Sequence, residues 1–164
     1  LEVASIAKAA FFAASPGIGT HLWIHLRRIL DGTDPSRGRD VLDPHSLAVL
    51  QAARAVRCEI ERYRGLVRFV QARDGSMAAV IEPEHDIAAF LAPHFLARFP
   101  DQRWIVVDSR RGLAVVGESG RFEVASVDRI GIPPHPADLL RLAAPGRTQC
   151  EFLRARFFLS RSGE

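Results

Sequence analysis

The spacing of the apolar residues changes at Gly65, and this change constrains the fold more than any other feature of the chain. Before Gly65 the apolar side chains recur every three or four residues, which is the period of an amphipathic helix. After Gly65 they alternate within short segments that are separated by turn residues, which is typical of strands. The chain therefore predicts an α+β fold, with a helical N-terminal half and a small sheet after it.

The N-terminal half predicts three helices. Asp43 and Pro44 suit the start of the third, because aspartate caps the free N–H groups of a helix and proline tolerates the first helical position. A proline–glycine break follows residue 14, and a polar loop is expected over residues 31–40. The expected helices cover residues 2–14, residues 19–30 and residues 44–65.

The second half predicts two β-hairpins, a helix between them and a fifth strand. Pro93 lies inside this helix and removes a backbone donor, so we expect a kink there or two short helices that meet at Ala92. We expect the helical half to pack on a mainly antiparallel sheet. The expected strands are residues 66–71, 77–81, 104–108, 113–117 and 121–126, and the helix covers residues 84–99.

The chain of 164 residues has the length of one domain. Within that single domain we expect a helical half over residues 1–64 and a sheet with its helix over residues 65–126. A proline-rich linker and C-terminal helices are expected over residues 127–164. Because the chain begins at Leu1 rather than at Met, we expect an N-terminal piece to be missing.

The composition excludes several classes of protein. With 48% apolar and 25% charged residues the chain is globular, and no apolar run reaches the roughly 18 to 20 residues that cross a bilayer. Cys58 and Cys150 are isolated in the sequence, which favours a reducing, cytoplasmic compartment and argues against structural zinc or an iron–sulfur cluster. His21 and His25 could share a metal ion on one helix, but no Glu partner follows in the HExxH manner, so no metal site is predicted.

The positive charge of the chain is carried by arginine. The net charge is +3, and every one of the 22 basic residues except Lys8 is an arginine. The planar guanidinium group suits phosphate and carboxylate groups. A GC-rich coding bias also explains an excess of arginine, so the composition permits nucleic-acid binding without requiring it.

Six of these arginines, with Arg103 among them, border the predicted hairpins near two aromatic residues, Trp104 and Phe69. If their side chains converge, they form a cationic patch with an aromatic ring, the combination that single-stranded nucleic acid prefers. The alternative is that they form structural ion pairs with nearby acidic residues. The candidate nucleic-acid contacts are Arg64, Arg68, Arg98, Trp104, Arg110 and Arg111.

Two residues suggest acid–base chemistry. His94 lies on the apolar face of the predicted central helix, and a histidine near a carboxylate can act as a general base. Asp108 ends an apolar strand, where carboxylates are often functional. Each has a structural alternative, because His94 can be a core histidine and Asp108 can cap the following turn. Catalysis by this pair requires that the two side chains share one cleft.

Three motifs resemble the DUF4130 family. They are Gly65-Leu66-Val67-Arg68-Phe69, the segment from His94-Phe95 through Arg98-Phe99-Pro100-Asp101-Gln102 to Trp104, and Asp108 with Arg111-Gly112-Leu113-Ala114. The resemblance covers about 60 central residues closely and the preceding helices more loosely. The family's C-terminal region is usually rich in Tyr and Trp, whereas this chain has Arg154-Ala155-Arg156-Phe157-Phe158.

The resemblance implies a role in DNA metabolism or DNA repair. Members of the family occur beside, or fused to, a uracil-DNA glycosylase-like domain, and they accompany a radical-SAM protein. The glycosylase and iron–sulfur chemistry would then belong to those partners, and no cofactor is expected in this chain.

Three functional hypotheses follow. The preferred one is a DNA-repair accessory module, without evident catalysis, that binds nucleic acid or a repair partner. The second is an enzyme that acts on nucleotides or DNA through His94 and Asp108. The third is a protein–protein adaptor, which predicts an exposed apolar patch.

Overall fold

The structure is a computed structural model that describes residues 2–32, 42–71 and 75–130. The chain divides into two compact units. Of the described residues, the first unit contains those up to Arg62 together with Glu84–Ile87, and the second contains those from Tyr63 to Pro83 and from Ala88 to Ile130. The α+β class is confirmed, and the prediction of a single domain stays a prediction. The C-terminal linker and helices lie outside the described residues.

The first unit is helical. It contains α1 (Glu2–Phe11), α2 (Ile18–Asp31) and α3 (Pro44–Leu66) up to Arg62. The predicted first helix ran to residue 14, but the N–H groups of Phe12 and Ala13 bond three residues back, to Ala9 and Ala10, which ends the helix earlier. The core of this unit is formed by small and branched side chains, among them Ile6, Ala10, Leu22, Val49, Val56 and Ile60.

Asp43 caps α3 as predicted. The backbone N–H of Ser46 donates a hydrogen bond of 2.9 Å to Asp43 Oδ2. This is the N-cap geometry in which a carboxylate satisfies a free donor of the first helical turn.

Segment 84–87 also belongs to the first unit, and a buried carboxylate on α3 holds it. The two oxygens of Glu59 accept the backbone N–H groups of Glu84 and His85, each at 2.8 Å. Nδ1 of His85 accepts the N–H of Ala14 at 3.1 Å. Because these backbone groups are fixed by long-range contacts, the helix predicted from residue 84 begins only at Ala88.

The second unit contains a five-stranded sheet and two helices. Its elements are β1 (Val70–Gln71), β2 (Met77–Ile81), α4 (Ala88–Arg98), β3 (Trp104–Asp108), β4 (Leu113–Glu118), β5 (Arg121–Ser126) and α5 (Val127–Ile130). The strand order is β1-β2-β3-β4-β5. Three of the four strand pairings are antiparallel, and β2 pairs parallel with β3 because the chain crosses over between them.

Two expectations about this unit require correction. The first strand was expected over residues 66–71 but has only two residues, because α3 includes Leu66 and the N–H of Val67 still bonds to the carbonyl of Tyr63. The central helix continues through Pro93, so the alternative of two short helices is wrong. The kink itself stays a prediction.

The core of the second unit lies on both faces of β3, whose residues are all buried. One face carries Trp104, which packs against Phe95 of α4 with ring centres 5.7 Å apart. The other face carries a cluster that contains Ile105, Val107, Ala114, Val116, Ala125 and Val127. The sheet therefore holds the aromatic residues of α4 in fixed positions.

Candidate functional site

The candidate arginines of the second unit come before and after β3. Arg98 precedes the start of β3 at Trp104 and lies over Phe99, whereas Arg110 and Arg111 follow the end of β3 at Asp108. The two ends of a five-residue strand are about 13 Å apart. Arg68, Arg98 and Arg110 are exposed, and Arg64 and Arg111 are half-buried.

We call Arg68, Phe69, Arg98 and Phe99 the cation–phenyl surface. The rings of Phe69 and Phe99 meet edge to face, with centres 4.9 Å apart and planes at 70°. The guanidinium carbon of Arg98 lies 5.5 Å from the centre of the Phe99 ring, and Nη1 of Arg68 donates to the carbonyl of Gly65 at 3.2 Å. The chain thus places two exposed guanidinium groups beside two half-buried rings.

Both exposed arginines of this surface, Arg68 and Arg98, lack a carboxylate partner in the part of the chain that the structure describes. The alternative that arginines serve only as structural ion pairs therefore does not account for these two. Unpaired, exposed guanidinium groups are free to contact phosphate.

Trp104 does not belong to this surface. Its side chain is 0% exposed and packs on the backbone of Gly117, where a Cβ atom would lie 2.1 Å from the indole. An indole in the core cannot stack on a base, so the predicted contact of Trp104 with nucleic acid does not fit this structure. Of the two predicted aromatic residues, Phe69 is the one that reaches the surface.

Asp108 organises the turn after β3. Its Oδ1 accepts the backbone N–H groups of Arg110 and Arg111 at 3.0 and 3.1 Å, and its Oδ2 accepts the guanidinium of Arg111 at 3.0 Å. The guanidinium groups of Arg110 and Arg111 also donate to the carbonyl of Pro83, at 3.5 and 3.2 Å. These contacts support the turn-capping alternative for Asp108 and a structural role for Arg111.

His94 forms no hydrogen bond with Asp108. Its ring lies against Phe95, with centres 5.1 Å apart, and its Nε2 is buried without a partner among the described residues. Both oxygens of Asp108 are occupied by its own turn. These contacts do not favour the enzyme hypothesis, which requires that both side chains lie within reach in one shared cleft.

The first unit contains a buried polar network that the sequence interpretation missed. Ser46 Oγ donates to Asp43 Oδ2 at 2.8 Å and lies 3.0 Å from Nδ1 of His25. Because a carboxylate only accepts, Ser46 gives its proton to Asp43 and accepts one from His25. Serine is therefore the central member, unlike a catalytic triad, in which histidine is central. The Asp43 cap was visible in the sequence, but His25 joins it only through the fold.

Burial and hydrogen bonds shift both titratable groups of this network. Burial lowers the pKa of His25, although the Asp43 carboxylate acts in the opposite direction. Burial alone would raise the pKa of Asp43, but hydrogen bonds from Ser46 and the Arg28 guanidinium hold it well below its usual range. Burial thus keeps His25 neutral, and the hydrogen bonds keep Asp43 charged, at neutral pH.

A cavity of about 240 Å³ lies in the first unit, beside the Glu59 anchor. The carboxylate of Glu59 is 5% exposed and also accepts the guanidinium of Arg62 at 3.1 Å. The carboxylate on the wall of the cavity therefore already binds the backbone of segment 84–87. The lining residues are Ala55, Cys58, Glu59, Arg62, Glu84 and His85.

An apolar stripe on α2 is exposed. Trp23 is 60% exposed and Leu30 is 83% exposed, and the guanidinium of Arg27 lies 5.1 Å over the indole of Trp23. Leu26 is exposed between them. Because the three residues are three and four positions apart, they lie on one face of the helix. A stripe of this kind is what the adaptor hypothesis predicts.

No group of three or more metal-ligating side chains is placed to hold an ion within residues 2–32, 42–71 and 75–130. His21 does not share a site with His25, since it lies against His45 of α3. Across the same part of the chain, no helix has the length and apolar character that crossing a membrane requires.

The fold and the surface define an α+β protein whose mixed five-stranded sheet supports a cation–phenyl surface. The chain belongs to the DUF4130 family, whose model, described as a domain of unknown function, matches residues 18–158. The resemblance drawn from the sequence motifs is therefore confirmed. No curated protein and no solved structure shows a significant match to the chain.

Proposed function

We propose that this protein is an accessory protein of DNA metabolism or repair that binds nucleic acid through the cation–phenyl surface. The observation that carries the proposal is the pairing of exposed Arg68 and Arg98, which lack carboxylate partners among the described residues, with the rings of Phe69 and Phe99. Guanidinium groups attract the phosphate backbone, and aromatic rings accept unpaired bases.

Single strands suit this surface better than duplexes. A base that stacks on a ring must first leave its neighbours, and a single strand makes its bases available at little cost. Stacking on an aromatic ring typically contributes about 1–3 kcal/mol per base. Phe69 and Phe99 are held at fixed positions by Phe95 and by each other, so little side-chain entropy is lost on binding.

The partners follow from the family resemblance rather than from the geometry. We infer that the protein works in the cytoplasm with a uracil-DNA glycosylase-like protein or domain and a radical-SAM protein, which would supply the chemistry. We do not propose His94 and Asp108 as a catalytic pair, because the Asp108 carboxylate accepts three hydrogen bonds within its own turn.

A second candidate function is docking of a protein partner, which the exposed stripe of Trp23, Leu26 and Leu30 favours. Large exposed apolar side chains in a row often mark a protein contact. The two functions are compatible, since an accessory protein can bind both DNA and a repair enzyme.

Binding of a labelled single-stranded oligonucleotide, measured by fluorescence anisotropy over a series of salt concentrations, tests the main proposal. We expect the logarithm of the affinity to fall linearly with the logarithm of the salt concentration, with a slope of about −0.7 per phosphate contact. The double variant Arg68→Gln/Arg98→Gln should bind more weakly, and its slope should be less negative by about 1.4, because two phosphate contacts are lost. Phe69→Leu should weaken binding at all salt concentrations without changing the slope.

Arg121→Gln is the matched control, because Arg121 is an exposed arginine on β5 outside the surface. It should leave affinity and slope close to those of the wild type. A wild-type protein that does not bind at low salt, or binding that is equally strong in the double variant, would contradict the proposal.

A further inference from the structure

Two histidines from different helices of the first unit meet at their Nδ1 atoms. His21 lies on α2 and His45 on the first turn of α3, and their Nδ1 atoms are 3.2 Å apart. Both side chains are half-buried, so solvent reaches them. Neither ring has another hydrogen-bond partner among the described residues.

A hydrogen bond between two imidazoles is only one of the states that this contact permits. It requires one protonated and one bare Nδ1. When both carry their proton on Nε2 instead, two bare Nδ1 lone pairs face the same space. Neutral imidazole is a common ligand of divalent transition metals, which it binds through one ring nitrogen.

The distance between the nitrogens matches that of two ligands of one ion. Nitrogens that bind a tetrahedral ion at about 2.0–2.1 Å lie about 3.3 Å from each other. The observed 3.2 Å is nearly the same. An ion could therefore enter between His21 and His45 with little movement of α2 or α3.

The relative position of the two rings also favours an arrangement in which both Nδ1 atoms point at one ion. The ring centres are 5.0 Å apart and the planes are tilted by 46°. A straight hydrogen bond of this length would leave the centres roughly 5.5 Å apart. Two imidazoles that point at one tetrahedral ion have centres about 5.2 Å apart. The observed separation is closer to the second value.

We propose that His21 and His45 form a two-histidine site for a borderline divalent transition metal such as Zn²⁺, with water in the remaining positions. Imidazole nitrogen favours Zn²⁺, Ni²⁺ or Cu²⁺ over Mg²⁺ and Ca²⁺, which prefer oxygen. The neighbouring Asp43 is occupied by Ser46 and Arg28, so it contributes charge rather than a ligand. Such a site would join α2 to α3 and leave positions open for exchange.

Isothermal titration calorimetry of the tag-free full chain with Zn²⁺ tests this proposal. We expect one binding event. His21→Gln and His45→Gln should each lower the affinity for Zn²⁺ about 100-fold or more, because mutating even a residue that hydrogen-bonds to a metal ligand typically lowers metal affinity 10–100-fold. His94→Gln is the control, because His94 lies in the second unit, and it should retain wild-type affinity. Mg²⁺ at the same concentration should give no binding.

Nitrogen NMR of the imidazole rings in the unmodified protein gives a readout that does not depend on variants. Zn²⁺ should shift the Nδ1 signals of His21 and His45 together while leaving those of His94 in place. Zn²⁺ binding that survives both substitutions, or shifts confined to other histidines, would overturn the proposal. A wild-type chain that binds no Zn²⁺ would overturn it as well.

Discussion

Gly117 lies opposite Trp104 in the pairing of β3 with β4, and the indole occupies the space where a side chain would stand. A Cβ atom there would lie 2.1 Å from the ring and 2.5 Å from its nitrogen. The indole is fully buried and cannot turn away without disturbing Phe95. Gly117 is thus required by close packing rather than by an unusual backbone conformation.

Gly117→Ala should therefore destabilise the protein. Overpacking a buried site typically costs about 1–3 kcal/mol, and we expect the upper part of that range because the clash is with a rigid ring. Urea unfolding, followed by tryptophan fluorescence, measures the loss. Gly19→Ala is the control, since a Cβ atom at Gly19 in α2 meets nothing within 4 Å. It should be neutral or stabilising by up to about 1 kcal/mol. Equal stability of Gly117→Ala and wild type would contradict the packing argument.

We expect the stability of the contact between α2 and α3 to depend on pH through the His25–Ser46–Asp43 network. His25 has a folded pKa below its usual 6.5, so the unfolded chain binds its proton first and stability falls as the pH drops below 6.5. Asp43 has a lowered folded pKa, so its contribution is present above its usual 3.8 and is lost as the pH falls below that value. Both groups therefore favour the folded state at neutral pH.

We expect the free energy of unfolding to decrease between about pH 7 and about pH 5, in the window where His25 but not Asp43 titrates. Urea titrations at several pH values measure the slope. His25→Gln should reduce that slope, whereas His94→Gln, outside the network, should change it less. A slope that is unaltered in His25→Gln would show that other groups carry the pH dependence.

Elements whose signals are local were predicted well. The β3–β4 hairpin and β5 agree with the predicted residues to within one position, because alternating apolar residues and the turn around Gly112 suffice to define them. The late start of α4 was not predictable, since Glu59, 25 residues before Glu84, holds the backbone that would otherwise continue the helix. Alternation also could not reveal that Trp104 faces α4 rather than solvent, because that depends on what covers each face of the sheet.

At the scale of the whole molecule, the candidate site was likewise predictable only in part. The arginines and Phe69 were identified from their position beside the hairpins, and the exposure of Arg68 and Arg98 agrees with a role at the surface. The sequence could not separate them from Arg110 and Arg111, because both groups border the same strand and differ only in the end they occupy. The match to DUF4130 shows that residues 18–158 belong to one family, but it identifies no chemical activity.

Whether the protein reaches the proposed repair partners through DNA or directly can be decided with the protein in its own cells. A DNA tether depends on phosphate contacts, whereas a direct protein contact depends on buried apolar area. We expect an affinity pull-down to recover a uracil-DNA glycosylase-like or radical-SAM protein, and nuclease treatment to reduce that recovery. Arg68→Gln/Arg98→Gln should mimic nuclease, because it removes the exposed guanidinium groups of the cation–phenyl surface.

Trp23→Ser separates the two functions in the same experiment, because Trp23 lies on the exposed stripe of α2 in the first unit. If DNA is the tether, this variant should recover the partner as well as the wild type does. Recovery that resists nuclease and the arginine substitutions but is lost in Trp23→Ser would contradict the tether and identify α2 as the docking face. The two outcomes differ because one contact is made by charge at the sheet and the other by apolar side chains on a helix.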